Sequence, residues 1–179
     1  MRYDTSMRYD YYDSRINKDT IGRYDVTPLF SEPDVFANLI DDLMRPFHNI
    51  QYDKVAGIDA LGFIIGSAIA QKAGIGFIPI RKGGKLPGRR RTLTQTSFTD
   101  YSGDRKSLEM SRAAIRPQER VLIADEWIET GSQMKAAIRL IERLGGEIAG
   151  ITALCAEKNR RTRPIFGTYD LHAINVVEK

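Results

Sequence analysis

Residues 121–134 read Val-Leu-Ile-Ala-Asp-Glu-Trp-Ile-Glu-Thr-Gly-Ser-Gln-Met, an apolar run followed by two acids, a small polar loop and a helical pattern. The run at 121–124 is apolar at every position, which is typical of a strand buried on both faces of a parallel sheet. Apolar residues recur at helical spacing from Ser132 to Leu144, and two glycines end that pattern. Residues 148–154 are apolar again. The stretch therefore predicts a strand, a helix and a second, parallel strand.

An earlier part of the chain has the same organisation. Residues 54–58 predict a short strand, residues 61–72 a helix and residues 75–80 another strand. An amphipathic helix is predicted before them at residues 31–46, on the apolar spacing of Val35, Leu39, Ile40 and Leu43. This alternation predicts an α/β fold, with a doubly wound, mostly parallel sheet flanked by helices. Because such sheets bind ligands at the carboxyl ends of their strands, functional residues are expected directly after strands.

Size and composition indicate one domain without an internal disulfide. The chain has 179 residues, of which 42% are hydrophobic, and this suffices for one core. We expect that domain to span residues 21–179, behind a polar extension at residues 1–20 that is either poorly ordered or docked. The single cysteine, Cys155, lies in an apolar stretch and is expected to be buried filler rather than a nucleophile. With no evident secretory signal or membrane span, we expect a cytoplasmic protein without a membrane partner.

Positive charge is concentrated in one connection between predicted strands. The chain carries 27 Lys and Arg against 23 Asp and Glu, a net charge of +4. Residues 81–91 hold six of these basic side chains among glycines, and so predict an anionic partner, either a nucleic acid or a small phosphorylated metabolite. The connection as a whole, residues 81–107, is longer than a compact fold usually has without a functional reason. We expect it to be a mobile lid loop.

The polar loop after the strand at 121–124 suits a sugar phosphate. Asp125 and Glu126 can accept hydrogen bonds from vicinal sugar hydroxyls. The residues that follow can present backbone N–H groups and hydroxyls to a phosphate at the start of the helix, and they are Thr130, Gly131, Ser132 and Gln133. The alternative is an acidic cluster that caps an ordinary helix.

These residues resemble the phosphoribosyl pyrophosphate motif of the type I phosphoribosyltransferases, in which two acids follow four apolar residues and a Thr-Gly-rich loop comes next. Residues 81–88, Arg-Lys-Gly-Gly-Lys-Leu-Pro-Gly, are similar to a segment of the adenine phosphoribosyltransferases. Residues 22–29 are similar to that family's segment beneath the base, and residues 57–63 to its segment at the pyrophosphate. The similarity runs from about Gly22 to Glu157. The chain thus resembles a purine phosphoribosyltransferase of the adenine type.

The resemblance implies transfer of a phosphoribosyl group from phosphoribosyl pyrophosphate to a purine base in purine salvage, with release of pyrophosphate. Mg²⁺ carried with the substrate and the basic loop would stabilise the leaving group. It also implies a homodimer, with these two small molecules as partners and no nucleic acid. No side chain is predicted to ligate a metal.

The resemblance also implies roles for individual residues. Asp100 takes the place of a catalytic glutamate that closes over the base with the lid, and Tyr101 would shield the reacting centre from water. Phosphoribosyl pyrophosphate would be bound by the motif residues Asp125, Glu126, Thr130, Gly131, Ser132 and Gln133, and further by Asp59, Ala60, Arg81, Lys82 and Lys85. The base would be framed by Arg23, Tyr24, Glu157 and Lys158.

Several positions depart from the family pattern. Glu126 replaces an aspartate and lengthens the reach of the second acid, and Glu129 brings a negative charge next to the phosphate loop. Leu61 stands where the family has an arginine beside the pyrophosphate, so a side chain of the basic loop would have to compensate. Tyr24 also stands at an arginine position, near the base. The ammonium group of Lys158 suits a carbonyl O6, and it favours a 6-oxopurine as the second choice after adenine.

Two other classes of function remain open at this point. A regulator with the same fold would sense a phosphoribosyl ligand without turnover, which Glu129 and Leu61 favour. Against this, about twenty residues precede Gly22, too few for the DNA-binding domain that such regulators carry. A nucleic-acid binder that uses the arginines at 89–91 is the least favoured, because its basic run lacks interleaved aromatic residues.

Overall fold

The computed structural model describes residues 6–21, 24–99 and 103–179, with the side chains from Tyr9 onwards. The α-helices are α1 (Ser6–Asp13), α2 (Pro28–Ser31), α3 (Pro33–Met44), α4 (Leu61–Ala73), α5 (Ser132–Arg143) and α6 (Arg163–Thr168). The strands are β1 (Lys54–Ile58), β2 (Gly76–Lys82), β3 (Leu93–Thr99), β4 (Arg105–Ser111), β5 (Arg120–Ile128), β6 (Glu147–Lys158) and β7 (Leu171–Glu178). Single 3₁₀ turns lie at Arg45–Phe47 and Arg112–Ala114.

The strands form one seven-stranded sheet in the order β3-β4-β2-β1-β5-β6-β7. The pairs β2–β1, β1–β5, β5–β6 and β6–β7 are parallel, while β3 pairs with β4, and β4 with β2, in the antiparallel direction. The prediction of a mostly parallel α/β sheet flanked by helices is confirmed. Because β1, β5 and β6 are adjacent and parallel, the loops after their carboxyl ends share one edge of the sheet.

The core lies on both faces of the sheet, since neighbouring residues of a strand point to opposite faces. Ile123 of β5 packs in the cluster that includes Leu140 of α5, and Leu122 packs in the cluster that includes Leu39 of α3 and Ile65 of α4. Each such buried side chain contributes about 1.5–3 kcal/mol to folding. The apolar run at 121–124 therefore reflects helices on both sides of β5.

The described part of the N-terminal segment packs onto the domain. Tyr12 and Ile16 are buried in the cluster on the α3 side of the sheet. The Tyr12 hydroxyl donates a hydrogen bond to Asp42 Oδ2 at 2.9 Å. Of the two alternatives for residues 1–20, the docked one describes residues 9–16. In the described part of the chain, no helix is both long and apolar enough to cross a membrane.

The long connection after β2 contains a β-hairpin that the sequence pattern does not indicate. Strands β3 and β4 pair from Leu93 and Ser111 to Thr99 and Arg105, and β4 joins the sheet by pairing with β2. The residues of β3 are mostly polar because only one of its faces is covered. Arg143 of α5 helps to hold it by donating to the Gln95 carbonyl at 2.8 Å. That the connection at residues 81–107 moves as a lid remains a prediction.

Two strands are longer than the apolar runs that predict them. Strand β5 continues to Ile128 and β6 to Lys158, and the extensions pair with each other through Ile128 and Ala156. Asp125 and Glu126 therefore lie within β5 rather than after it. The hydrogen bonds of the sheet carry the chain beyond the point where its apolar pattern stops.

Candidate active site

A cavity of about 230 Å³ lies at the carboxyl end of β5 and the start of α5. Gly131 makes the turn between them at φ +70°, and a Cβ there would lie 2.8 Å from Ile165 Cδ1. Because a helix leaves its first N–H groups without partners inside the helix, the start of α5 offers donors to an anion in this cavity. Thr130, Ser132 and Gln133 complete this polar wall.

Two carboxylates form the sheet side of the cavity. Asp125 is 3% exposed, and its Oδ1 accepts the N–H of Glu126 at 3.0 Å. Gly62 of α4 packs directly against this strand, where a Cβ would meet the Ala124 carbonyl oxygen at 2.9 Å and Asp125 Oδ1 at 3.1 Å. Close approach of α4 to β5 thus buries Asp125 and leaves Glu126 partly open to the cavity. These groups can accept hydrogen bonds from hydroxyls.

Basic side chains from β2 and β4 line the same cavity. They are Lys82 at the end of β2 and Lys106 of β4, and Phe98 of β3, which pairs with Lys106, lines the cavity as well. Sequence reasoning missed Lys106 and Phe98, because the hairpin that brings them there is not evident in the pattern. The cavity therefore combines backbone donors, two ammonium groups and acidic side chains, as a phosphorylated sugar requires.

A second cavity of about 390 Å³ adjoins the first. Glu126, Trp127 and Glu129 line both cavities, so the two form one continuous depression. The rings of Tyr24 and Trp127 meet edge to face with centroids 6.2 Å apart, and they give the second cavity an aromatic wall. The remaining lining residues are Val26, Leu61, Glu157 and Lys179.

The polar end of this second cavity is an ion pair. Lys179 Nζ lies 2.7 Å from Glu157 Oε1. The hydrogen bond to Glu157 and the nearby charges of Glu157 and Glu129 raise the pKa of Lys179, so this side chain is protonated at neutral pH. The cavity offers a flat ligand an aromatic face, a carboxylate acceptor and an ammonium donor.

The model of a family described as phosphoribosyl transferase domain matches residues 34–178, most of the chain. The chain belongs to the phosphoribosyltransferase family. Among its relatives, the adenine phosphoribosyltransferase of Dinoroseobacter shibae is 45% identical over 130 residues, which make up 73% of this chain and 70% of that protein. The adenine phosphoribosyltransferase of Escherichia coli O157:H7 is 42% identical over 125 residues, 70% of this chain and 66% of that protein.

Solved structures agree with this family assignment. The adenine phosphoribosyltransferase of Rhodothermus marinus matches with a TM-score of 0.85 at 31% identity, over 96% of this chain and 99% of that one. The Giardia lamblia enzyme in complex with 9-deazaadenine matches with a TM-score of 0.82 at 25% identity, over 94% of this chain and 97% of that one. The predictions of a type I phosphoribosyltransferase similar to the adenine enzymes, and of a purine phosphoribosyltransferase activity, are confirmed.

The structure brings the residues of the phosphoribosyl pyrophosphate motif together. Six of the predicted ligands line the first cavity, and they are Asp125, Glu126, Thr130, Gly131, Ser132 and Gln133. Lys82 joins them. Glu157 and Tyr24 line the second cavity, as expected for residues that frame a base. Arg23, Asp100 and Tyr101 lie outside the described residues, so their roles remain predictions.

Other predicted ligands do not line the two cavities, and their roles, including that of Lys158 at the base, remain predictions. Lys158 Nζ lies 2.9 Å from Glu178 Oε1 and 6.0 Å from the centre of the Phe166 ring, and the residue does not line the second cavity. The reason is the alternation of a strand, since Lys158 follows the inward-facing Glu157 on β6. Asp59, Ala60, Arg81 and Lys85 likewise do not line either of the two cavities.

Arg81 and Asp59 instead shape the backbone beside the site. One nitrogen of the Arg81 guanidinium donates to the Lys85 carbonyl at 2.9 Å, and Nε lies 3.6 Å from Asp59 Oδ2. Asp59 in turn accepts the N–H of Lys82 in a long contact of 3.4 Å. These contacts tie the turn after β1 to the end of β2.

Cys155 is buried, as predicted. Its Sγ lies 3.7 Å from the Tyr9 hydroxyl, and burial raises the pKa of the thiol to about 11. A thiol with so high a pKa is a poor nucleophile at neutral pH.

Proposed function

We propose that this phosphoribosyltransferase acts on adenine, joining it to the phosphoribosyl group of phosphoribosyl pyrophosphate and releasing pyrophosphate. The observation that carries the proposal is the junction of the two cavities at Glu126, Trp127 and Glu129. One cavity has the donors of a helix start for a phosphate, and the other has an aromatic wall for a flat base. The anomeric carbon of a bound ribose would lie where they meet.

The residues of the first cavity take separate parts in this reaction. The loop at Thr130–Gln133 holds the 5-phosphate, and Asp125 and Glu126 hold the ribose hydroxyls. Lys82 and Lys106 lie where they can offset the charge that develops on the departing pyrophosphate. Mg²⁺ arrives with the diphosphate as part of the substrate and neutralises the same charge. Asp100 and Tyr101 would take the places of the residues that close the site in similar enzymes.

The preference for adenine rests on the position of Lys158 and on the relatives of this chain. The alternative 6-oxopurine substrate depends on Lys158, which pairs with Glu178 outside the second cavity. Glu157 provides an acceptor for an exocyclic amine, and Lys179 a donor for a neighbouring ring nitrogen. Adenine has this donor and acceptor side by side in its amine and N1, and a 6-oxopurine has them in N1–H and O6, so this ion pair fits either base. The named relatives at 42–45% identity are also adenine enzymes.

We further propose that the protein acts as a cytoplasmic homodimer. Dimers are usual among similar enzymes, and a single buried cysteine suits a reducing compartment.

The test is incubation of the purified protein with Mg²⁺, phosphoribosyl pyrophosphate and each of adenine, hypoxanthine, guanine and xanthine, with chromatographic detection of the nucleotide. We expect adenosine monophosphate as the main product. The double variant Asp125→Asn, Glu126→Gln is the matched negative control, because it keeps the shape of both side chains and removes their charges. A main product from a 6-oxopurine would overturn the choice of base.

The remaining outcome distinguishes an enzyme from a sensor. Binding of phosphoribosyl pyrophosphate in calorimetry without any nucleotide product would favour a sensor of phosphoribosyl ligands. Leu61 and Glu129, which depart from the family pattern and line the second cavity, are the grounds for this alternative.

A further inference from the structure

Glu109 of β4 is a buried carboxylate that has no part in the proposed reaction. Its side chain lies beneath the basic loop that follows β2 and is only 4% exposed. Its Oε1 accepts the backbone N–H groups of Lys85 at 2.8 Å and Leu86 at 2.7 Å. Arg81, which faces Glu109 in the pairing of β2 with β4, donates to the Lys85 carbonyl at 2.9 Å. The N–H and the carbonyl of Lys85 are thus held by a carboxylate and a guanidinium.

The glycines that precede Lys85 in this turn also pack closely against the β3–β4 hairpin. The Gly83 N–H donates to the Ser107 carbonyl at 2.9 Å, and a Cβ on Gly83 would lie 2.1 Å from Ser107 Oγ. Gly84 follows at φ +78°. These glycines allow close packing and one tight turn, so they do not make the loop loose.

Glu109 is ionised at neutral pH despite its burial. Burial acts to raise the pKa of its carboxyl, but the N–H groups of Leu86, Gly84 and Lys85 and the charge of Arg81 outweigh it and hold the pKa below its ordinary value. A buried carboxylate is stable only with such partners. Its negative charge is therefore compensated within the loop.

We propose that Glu109 is a positioning residue for the diphosphate: by holding the N–H groups of Lys85 and Leu86 it sets the conformation of residues 83–88 before the substrate arrives. The diphosphate is then met by side chains of the basic segment, of which Lys82 lines the cavity, and not by the N–H groups of the turn. A preformed loop lowers the entropy that binding must otherwise overcome. The proposal rests on the proposed function, because it assumes that the cavity binds a diphosphate.

The test compares Glu109→Ala and Glu109→Gln with a matched control, Glu119→Ala. Glu119 has the same chemistry at the amino end of β5, where it accepts the Arg116 N–H at 2.7 Å and pairs with Lys54 at 2.7 Å. Each variant is assayed for its KM for phosphoribosyl pyrophosphate, its KM for adenine, kcat and its melting temperature. Pyrophosphate affinity is measured separately by calorimetry.

We expect Glu109→Ala to raise the KM for phosphoribosyl pyrophosphate and the Kd for pyrophosphate about tenfold or more, since charged hydrogen bonds are lost. The KM for adenine should stay within about twofold, because the base cavity does not contact this loop. Glu109→Gln keeps an acceptor oxygen and should fall between the wild type and Glu109→Ala. Glu119→Ala should lower the melting temperature and leave both KM values unchanged.

The proposal is overturned if folded Glu109→Ala binds pyrophosphate as the wild type does, or if both KM values rise together. Should Glu109→Ala fail to fold, Glu109→Gln decides, and an unchanged pyrophosphate affinity with unchanged amide exchange at Lys85 and Leu86 overturns the proposal. A wild-type protein that binds pyrophosphate but forms no nucleotide contradicts the proposed function alone. The variants then still test Glu109 through pyrophosphate affinity.

Discussion

The loop after β5 and the loop after β2 are both proposed to bind an anion, yet they differ in the partners of their backbone N–H groups. At residues 129–133 the chain turns through Gly131 into α5, and the first residues of that helix line the cavity. At residues 83–88 the N–H groups of Lys85 and Leu86 are already bound by Glu109. A loop of the first kind binds through its backbone and tolerates an acid such as Glu129 beside it. One of the second kind binds through its side chains.

This difference has a physical basis in what each loop follows. The β5 loop opens a helix, whose first turn has donors that no helical carbonyl can accept. The β2 loop leads into a hairpin that returns beside its own strand, and a buried Glu109 on that hairpin satisfies its donors. The elements that follow the two loops therefore decide whether the backbone N–H groups of each loop are used within the protein.

The largest expected effect comes from the two glycines with positive φ, one in each loop. Gly131→Ala should lower kcat/KM for phosphoribosyl pyrophosphate by about 100-fold, since a new Cβ 2.8 Å from Ile165 displaces the phosphate donors. Gly84→Ala strains the same region of φ but meets nothing within 4 Å, and should cost about fivefold or less. Steady-state kinetics of both variants measures the difference. Equal losses would show that the backbone of the two loops matters alike.

A smaller effect separates the two lysines of the basic loop. Lys82 lines the cavity and Lys85 does not, so Lys82→Met should raise the KM for phosphoribosyl pyrophosphate by about 30-fold, and Lys85→Met by about twofold. The measurement is the salt dependence of KM together with its value at low salt. A larger loss with Lys85→Met would mean that the turn rearranges around the substrate.

A substitution of Trp127 tests whether phosphate binding by the loop after β5 is independent of base binding. Trp127→Ala removes an aromatic wall of the second cavity and should raise the KM for adenine about tenfold, in line with stacking on a base. The KM for phosphoribosyl pyrophosphate should rise by less than this, because Trp127 also lines the first cavity but the proposed phosphate donors lie further along the chain, at residues 130–133. Trp127→Phe is the conservative control. Parallel changes in both KM values would show that the cavities act as one unit.

The smallest effect is a pH dependence of stability that comes from Glu109 beneath the β2 loop. The folded pKa of Glu109 lies below its ordinary value of 4.5, so its charge adds stability above that value, and this contribution is lost as the pH falls through the folded pKa. The melting temperature of Glu109→Gln should therefore lie below that of the wild type at pH 7 and approach it in acid. A constant difference across this range would mean that shape, and not charge, makes Glu109 stabilising.

Much of the fold and about half of the candidate site can be predicted from the sequence. The apolar run at 121–124 and the helical spacing after Ser132 specify a parallel strand and its helix, because both report burial directly. The phosphate loop follows from Thr130 and Gly131, since a backbone site depends on local geometry. Lys158 shows the limit, because neighbouring positions of β6 face opposite sides of the sheet, and the sequence pattern does not say which of Glu157 and Lys158 lines the second cavity.

Sequence alone thus determined the α/β class, the family and the loop that binds through its own backbone, all of which depend on residues close together in the chain. The tertiary structure decided the rest of the site. It placed Lys106 and Phe98 in the phosphate cavity by way of a hairpin, and Lys179 beside Glu157 at the base. It also put Glu109 under the basic loop, 23 to 24 positions from the N–H groups that it holds. Contacts over such distances depend on how strands pair, and no local pattern records that pairing.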